Sequence, residues 1–295
     1  MTEIVDAPTT ELRTAEPELV EPDGPDLVPD DEPGSRPRRF RGAARMAGSM
    51  AAAFVVFGLL LLANGTNPLD GYQAMWESIT RDADSFGDVL VRTTPYLMAA
   101  LAVVVPARAG LFNIGGEGQL LIGAVGAMGM AEALGQALPQ GATLAMMAAA
   151  AMVTAAAWAG IAAALRQFTA TNETISTLLL NYLAFLLLGW LVFGSWKDPA
   201  ATGFPRTRLL EDVERLPVVF GRVHVGILVA VVVAVLTWAV LRFSPWGFRL
   251  AILGRNDEAA RRAGFHTGRL ASSALMVGGA LAGLGGMLQV AGVEG

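Results

Sequence analysis

The chain has 295 residues, 54% of them hydrophobic and 16% charged, with a mean hydropathy of +0.50 and apolar runs recurring from residue 46 onward, which is the composition of a polytopic integral membrane protein. It has no cysteine, which excludes a disulfide framework, a thiol nucleophile and a cysteine metal site, and two histidines, His224 and His266, leave little for a zinc site. The net charge of −5 describes the amino-terminal tail rather than the membrane body, because the acids from Glu3 to Glu32 there face only Arg13.

In chain order, residues 1 to about 35 are rich in proline and acid and lack apolar periodicity, so they bury too little surface to offset chain entropy and are expected to be disordered. A basic juxtamembrane segment follows, with Arg36, Arg38, Arg39, Arg41 and Arg45, and then a first apolar span at 46–63. A cleavable signal would start nearer the first residue and end in a small-residue site, so this span is expected to be retained. Further spans are predicted near 89–107, 117–138, 143–165, 174–194, 223–241 and 270–292, each near the ~20 residues that cross a hydrocarbon core. The fold class is therefore an all-α transmembrane bundle of about seven spans. Arg92 and Pro95 interrupt the second span and Pro106 closes it, and broken spans point to a transporter's binding region.

A cytoplasmic amino end places Arg36 to Arg45, Arg108, Arg166, Arg242, Arg249, Arg255, Arg261, Arg262 and Arg269 on the inner side, as the positive-inside rule asks. On the outer side Arg81, Lys197, Arg206, Arg208, Arg215 and Arg222 are accompanied by acids such as Asp82, Asp198 and Glu211. Gly279 and Gly283 stand at small-xxx-small spacing, which reads as close helix packing.

Three polar constellations remain. Gly110, Gly115, Gly116 and Gly118 surround Asn113, Glu117 and Gln119 between two apolar segments. Charge at membrane depth is costly unless paired or facing a cavity, so these residues either line a path for a neutral polar solute or form a turn in which Glu117 caps the next helix. The second runs from Thr171 through Asn172, Glu173 and Thr174 to Thr177, followed by Asn181 about two helical turns inside the span. A capping box accounts for Thr171 and Thr174, whereas Asn181 lies well inside an apolar helix and joins the candidate path. The third lies in the loop 242–269: Asn256 or Asp257 can cap a short helix holding Glu258, Ala259 and Ala260, arginines occupy its last turn, and Gly264 ends it. Such a helix either faces headgroups and solvent or docks into a cytoplasmic partner.

The pattern Glu258-Ala259-Ala260, three residues, then Gly264 resembles the coupling loop of ABC importer permeases. Gly110-Leu111-Phe112-Asn113-Ile114-Gly115-Gly116-Glu117-Gly118-Gln119, and Asn172-Glu173-Thr174-Ile175-Ser176-Thr177-Leu178 with Asn181-Tyr182, resemble the nucleoside-type, basic membrane lipoprotein-linked branch of the ribose and branched-chain amino acid superfamily. Sugar members of that superfamily carry a Gly-hydrophobic-Asp-Leu-Ser type segment where this chain has Asn113 and Glu117, which favours nucleosides over simple sugars. The resemblance implies a permease domain over 46–295 in a bacterial plasma membrane, a second permease subunit, an extracytoplasmic substrate-binding lipoprotein and a cytoplasmic ATPase that binds ATP-Mg. The chain itself has no Gly-x-x-x-x-Gly-Lys-Ser/Thr loop and is read as a transport subunit, not an enzyme. The resemblance implies further spans beyond Gly295, so an incomplete chain is expected. The alternatives are a simple-sugar permease, a proton-coupled carrier using Glu117, an intramembrane hydrolase and a receptor or scaffold; the hydrolase lacks a Gly-x-Ser-x-Gly elbow.

Overall fold

In the computed structural model, which describes residues 36–135 and 137–294, long apolar runs become helices because a bilayer leaves backbone groups no other partner. The acidic tail at 1–35 lies outside the described residues, as do the side chains of Arg36 to Arg41. The chain divides into two units, Met1–Tyr72 and Gln73–Gly295.

In the first unit α1 (Arg36–Ala63) starts ten residues before the expected span, taking in the basic segment. A second helix, α2 (Pro68–Thr80), follows a tight turn and was not expected; the unit boundary falls inside it. Tyr72 packs its ring against Phe54 and Phe57, with centroids 5.8 and 5.9 Å away, and its hydroxyl donates to the Phe54 carbonyl.

The second unit contains α3 (Ala83–Arg108), α4 (Gly116–Leu134), α5 (Gln140–Thr169), α6 (Glu173–Phe193), α7 (Gly226–Phe243), α8 (Pro245–Arg255), α9 (Asp257–Arg262) and α10 (Thr267–Gln289). Asp82 caps α3 by accepting from the Ser85 N–H at 2.7 Å, a bond that holds its carboxyl below the usual range. α10 is the central helix, flanked by α3, α4 and α5, with α7 on α3 and α6 on α4. It reaches that position because it is made of small residues: a Cβ at Gly123 of α4 would lie 2.2 Å from the Gly283 Cα, and one at Gly286 2.1 Å from the Leu120 carbonyl oxygen. Gly279 likewise lies against Ala155 and Ala159 of α5, so the small-xxx-small spacing serves helix packing as expected.

Among the described residues six helices are long and apolar enough to cross a membrane by length and composition. The remaining expected span is α4, which is helical for 19 residues but carries Glu117, Gln119 and Glu132 and falls short of that standard. α3 also departs from expectation, because it runs unbroken through Pro95 and contains Pro106 in its last turn. A proline removes one backbone hydrogen bond without ending a membrane helix when neighbouring groups satisfy the carbonyl it frees.

One end of the bundle gathers the start of α10, the ends of α3 and α5, and α8. There the Ser272 hydroxyl donates to Gln167 at 3.2 Å and Gly254 packs on the Arg108 carbonyl. At the other end, residues 195–225 form a folded cap rather than an open loop. It contains a 3-10 turn (Asp212–Glu214) and an antiparallel hairpin of β1 (Val218–Phe220) and β2 (Val223–His224). Arg208 clamps this cap, donating to both carboxylate oxygens of buried Glu214 at 2.8 Å and to Glu132 of α4 at 2.6 Å. Burial pushes the Glu214 carboxyl up, but the Arg208 bonds and the Glu211 N–H outweigh it and hold the carboxyl below its usual range.

Candidate substrate path and coupling helix

The loop 109–115 turns back into the bundle instead of leaving it. Gly110 makes the turn at φ +73°, and its N–H and that of Leu111 bond to the Ala107 and Pro106 carbonyls. The loop is held at depth through a gap in the α3 ladder: Pro106 has no N–H to give the Ala102 carbonyl four residues earlier, and Asn113 Nδ2 fills that place at 3.1 Å. Asn113 and Gln119 also exchange amide hydrogen bonds at 2.9 and 3.0 Å, and Asn113 Oδ1 accepts from the Gly115 N–H. Both side chains are buried.

The second constellation completes this structure. On α6 the Thr177 hydroxyl accepts from the Ile114 N–H at 3.3 Å, and Asn181 Nδ2 donates to the Ile114 carbonyl at 2.9 Å while its Oδ1 accepts from the Gly118 N–H at 2.8 Å. Thr177 and Asn181 are one turn apart, so one face of α6 holds both polar groups of a single loop residue. Gly118 is required for this approach, since a Cβ there would meet Asn181 Oδ1 at 2.7 Å. Two motifs that are separate in the sequence therefore form one clasp.

The start of α6 corrects one expectation. The cap is Asn172, whose side chain accepts from the Thr174 N–H at 2.8 Å, while the Thr171 hydroxyl pairs with that of Thr169 at 2.6 Å. Glu173 forms a 3.1 Å ion pair with Arg166 at the end of α5.

Glu117 stands apart from the clasp. It lies in the first turn of α4, where the helix dipole favours a negative charge, yet the N-cap is Gly115 and no side-chain cap bond is made. Its side chain is exposed and has no hydrogen bond or ion pair among the described residues. It opens onto a groove of about 450 Å³ between α3 and the loop, with Pro95, Tyr96, Ala99 and Val103 on the far wall. Tyr96, 75% exposed, adds a phenol and an aromatic face to this groove. Sequence reasoning passed over it as one more apolar-span residue.

The third constellation folds as expected into a short helix. Asn256 caps α9 by accepting from the Ala259 N–H at 2.9 Å, Asp257 pairs with Arg261, and Glu258 pairs with Arg262 at 3.1 Å. Ala260 is buried and anchors the helix; Gly264 leaves it at φ +80°; Glu258 and Ala259 face outward. α8, not foreseen as a separate element, joins α9 to the clasp region. A Cβ on Gly254 would stand 2.6 Å from the Arg108 carbonyl oxygen and 2.9 Å from the Gly110 nitrogen, so the end of α8 rests directly on the loop that carries Asn113.

The described residues thus combine helices long and apolar enough to cross a membrane, a groove beside an inward-turning polar loop, and an exposed short helix whose neighbour α8 packs on that loop, which are the parts expected of a transport subunit. The chain belongs to the family described as branched-chain amino acid transport system / permease component, whose model matches residues 85–295. It is a permease subunit, not an enzyme, and membership implies an ATP-driven system with its ATPase on another chain. It is similar to a glucose ABC transporter permease protein of Haloferax volcanii, 39% identical over 84% of this chain and 67% of that one. It is also similar to a guanosine ABC transporter permease protein of Bacillus subtilis (30%, covering 78% and 67%) and to a nucleoside ABC transporter permease protein of Lactococcus lactis subsp. cremoris (28%, covering 79% and 68%). No solved structure matches the chain.

Proposed function

We propose that this permease subunit imports nucleosides, with Glu117 and Tyr96 contacting the solute and Asn113, Gln119 and Asn181 shaping the wall of the path. The observation that carries this reading is the unpaired Glu117 carboxylate opening onto a groove beside an aromatic face, while the surrounding amides are taken up by one another and by the backbone. A carboxylate accepts from ribose hydroxyls and an aromatic ring stacks on a base, which suits a neutral solute with both parts. Gly110 gives the loop its turn, Gly115 and Gly118 allow its close approach to the helix that grips it, Gly116 opens α4, and Asn172 and Glu173 fix the start of the gripping helix.

Drive comes from outside the chain. We place the arginine-rich end, with α9, in the cytoplasm, where Asn256, Asp257, Glu258, Ala259, Ala260 and Gly264 form the surface on which a cytoplasmic ATPase binding ATP-Mg seats. Motion of α9 then passes through α8 and the Gly254 contact to the loop at Gly110, changing the groove without covalent chemistry. The folded cap at 195–225 faces an extracytoplasmic binding lipoprotein, and a second permease subunit closes the path. In domain terms, residues 46–295 are the permease body and 242–269 its coupling segment.

The test is uptake of labelled guanosine, other nucleosides and glucose by the reconstituted complex, with and without ATP. ATP-dependent nucleoside uptake that falls about tenfold or more in Glu117→Gln, with unchanged assembly, supports the proposal. The relative named for glucose favours a second reading, a sugar path; uptake of glucose and not of nucleosides would establish it. Uptake that is ionophore-sensitive and survives loss of ATP would identify a proton-coupled carrier instead.

A further inference from the structure

We propose that a groove between α3 and α7, away from the clasp, binds one anionic phospholipid, with its phosphate on Arg108 and Arg242 and an acyl chain along the apolar wall. Arg108 is the last residue of α3 and Arg242 lies in the last turn of α7. Both are exposed, both line the same groove of about 320 Å³, and neither forms an ion pair with an acid among the described residues. Their positions at helix ends complement the two dipoles, but that satisfies neither guanidinium's hydrogen-bond donors. Beyond them the groove is walled by Leu101 and Val104 of α3 and by Ala234, Trp238 and Leu241 of α7, with Thr237 the one neutral polar side chain. α7 is among the most lipid-like faces of the bundle, with only 11% of its apolar window buried.

Charge and shape together select the occupant. Two cations at the end of a hydrocarbon-lined slot between membrane helices match a molecule with a phosphate at one end and an alkyl chain at the other. A soluble phosphate would use the arginines and leave the wall bare. A zwitterionic lipid would bring its own cation beside two others, which like-charge repulsion disfavours. Arg108 and Arg242 border the proposed lever, since the Arg108 carbonyl meets Gly254 and Arg242 opens segment 242–269, but the groove shares no lining residue with the solute groove or with α9, so lipid binding is read separately from transport.

Trp238 provides the readout. The full chain is reconstituted in bilayers containing brominated phosphatidylglycerol or brominated phosphatidylcholine, and quenching of Trp238 is taken as the difference between wild type and Trp238→Phe. Brominated phosphatidylglycerol is expected to quench this component at low mole fraction and to be displaced by unlabelled phosphatidylglycerol, but not by inorganic phosphate. In Arg108→Gln/Arg242→Gln the lipid needed for half-quenching rises by roughly tenfold or more. Lysine at both positions retains most of the preference, and Arg269→Gln, at the same end but on a different cleft, leaves it unchanged. Equal quenching by the two lipids, an unchanged double variant, an equal loss in Arg269→Gln, displacement by inorganic phosphate, or no quenching because another chain covers the groove would each overturn the proposal.

Discussion

The clasp around Asn113 and the short helix α9 are both polar motifs in an apolar protein, and they use their polarity in opposite ways. In the clasp, Asn113, Gln119, Thr177 and Asn181 commit their donors and acceptors to one another and to backbone groups of a single loop. In α9, the charges of Asp257, Glu258, Arg261 and Arg262 balance in i,i+4 pairs and stay at the surface. Polar residues at membrane depth are tolerated when fully partnered, so the clasp is read as architecture that shapes a path. Polar residues on an exposed six-residue helix add little stability, so α9 is read as a surface for another chain.

Substitutions should separate the two regions sharply. Asn113→Leu strips partners from the Ala102 carbonyl, the Gln119 amide and the Gly115 N–H at once, and is expected to cost about 3 kcal/mol in a detergent melt as well as abolishing uptake. Glu258→Arg should abolish uptake and ATPase association while changing stability by no more than about 0.5 kcal/mol, because one exposed ion pair is lost. If the melting temperature fell as far as in Asn113→Leu, α9 would belong with the clasp. Gly254→Ala tests the joint between them: overpacking against Arg108 and Gly110 should cost about 1–3 kcal/mol and weaken uptake without releasing the ATPase.

The smallest effect concerns pH, at the opposite end of the bundle. His224 is buried in the cap, its Nδ1 accepts from the Gly226 N–H at 3.1 Å and its Nε2 has no partner among the described residues. Burial holds its pKa below the ordinary value of 6.5, so the folded chain keeps the ring neutral while the unfolded chain gains a proton as pH falls below about 6.5. Stability present above that pH is therefore lost on acidification. Melts at pH 7.5 and 5.5 should show this loss in wild type and a shallower one in His224→Gln; equal slopes would remove His224 from the account.

What the sequence disclosed follows from how local each signal is. α9 was legible because its cap, its charge pairs and its terminal glycine all lie within nine residues. The helices of the bundle were legible from their apolar runs, although α2 and α8 were missed because neither has a span-length apolar run or acid and base paired at its two ends as in α9. The partners within the clasp were not legible, since Ile114 meets Thr177 and Asn181 across more than sixty residues of chain, and the Ala102 carbonyl becomes an acceptor only because Pro106 leaves it unpaired. The cap of α6 was misassigned to Thr171 because neighbouring threonine and asparagine side chains can all cap, and only the folded turn commits Thr171 to Thr169. The folding of residues 195–225 into a cap depends on Arg208 reaching Glu132, 76 positions away, which no local pattern announces.

The proposed mechanical link from α9 to the clasp is tested most directly by cross-linking, which the absence of cysteine from these 295 residues makes simple. With Ala263→Cys, exposed at the end of α9 and outside the docking residues, as the single thiol, a short bifunctional reagent should join this chain to the ATPase in the assembled complex, and the cross-link should stop ATP-driven uptake while leaving the melt unchanged. Failure of the introduced thiol to reach any ATPase, or full uptake after complete cross-linking, would contradict the lever at its root.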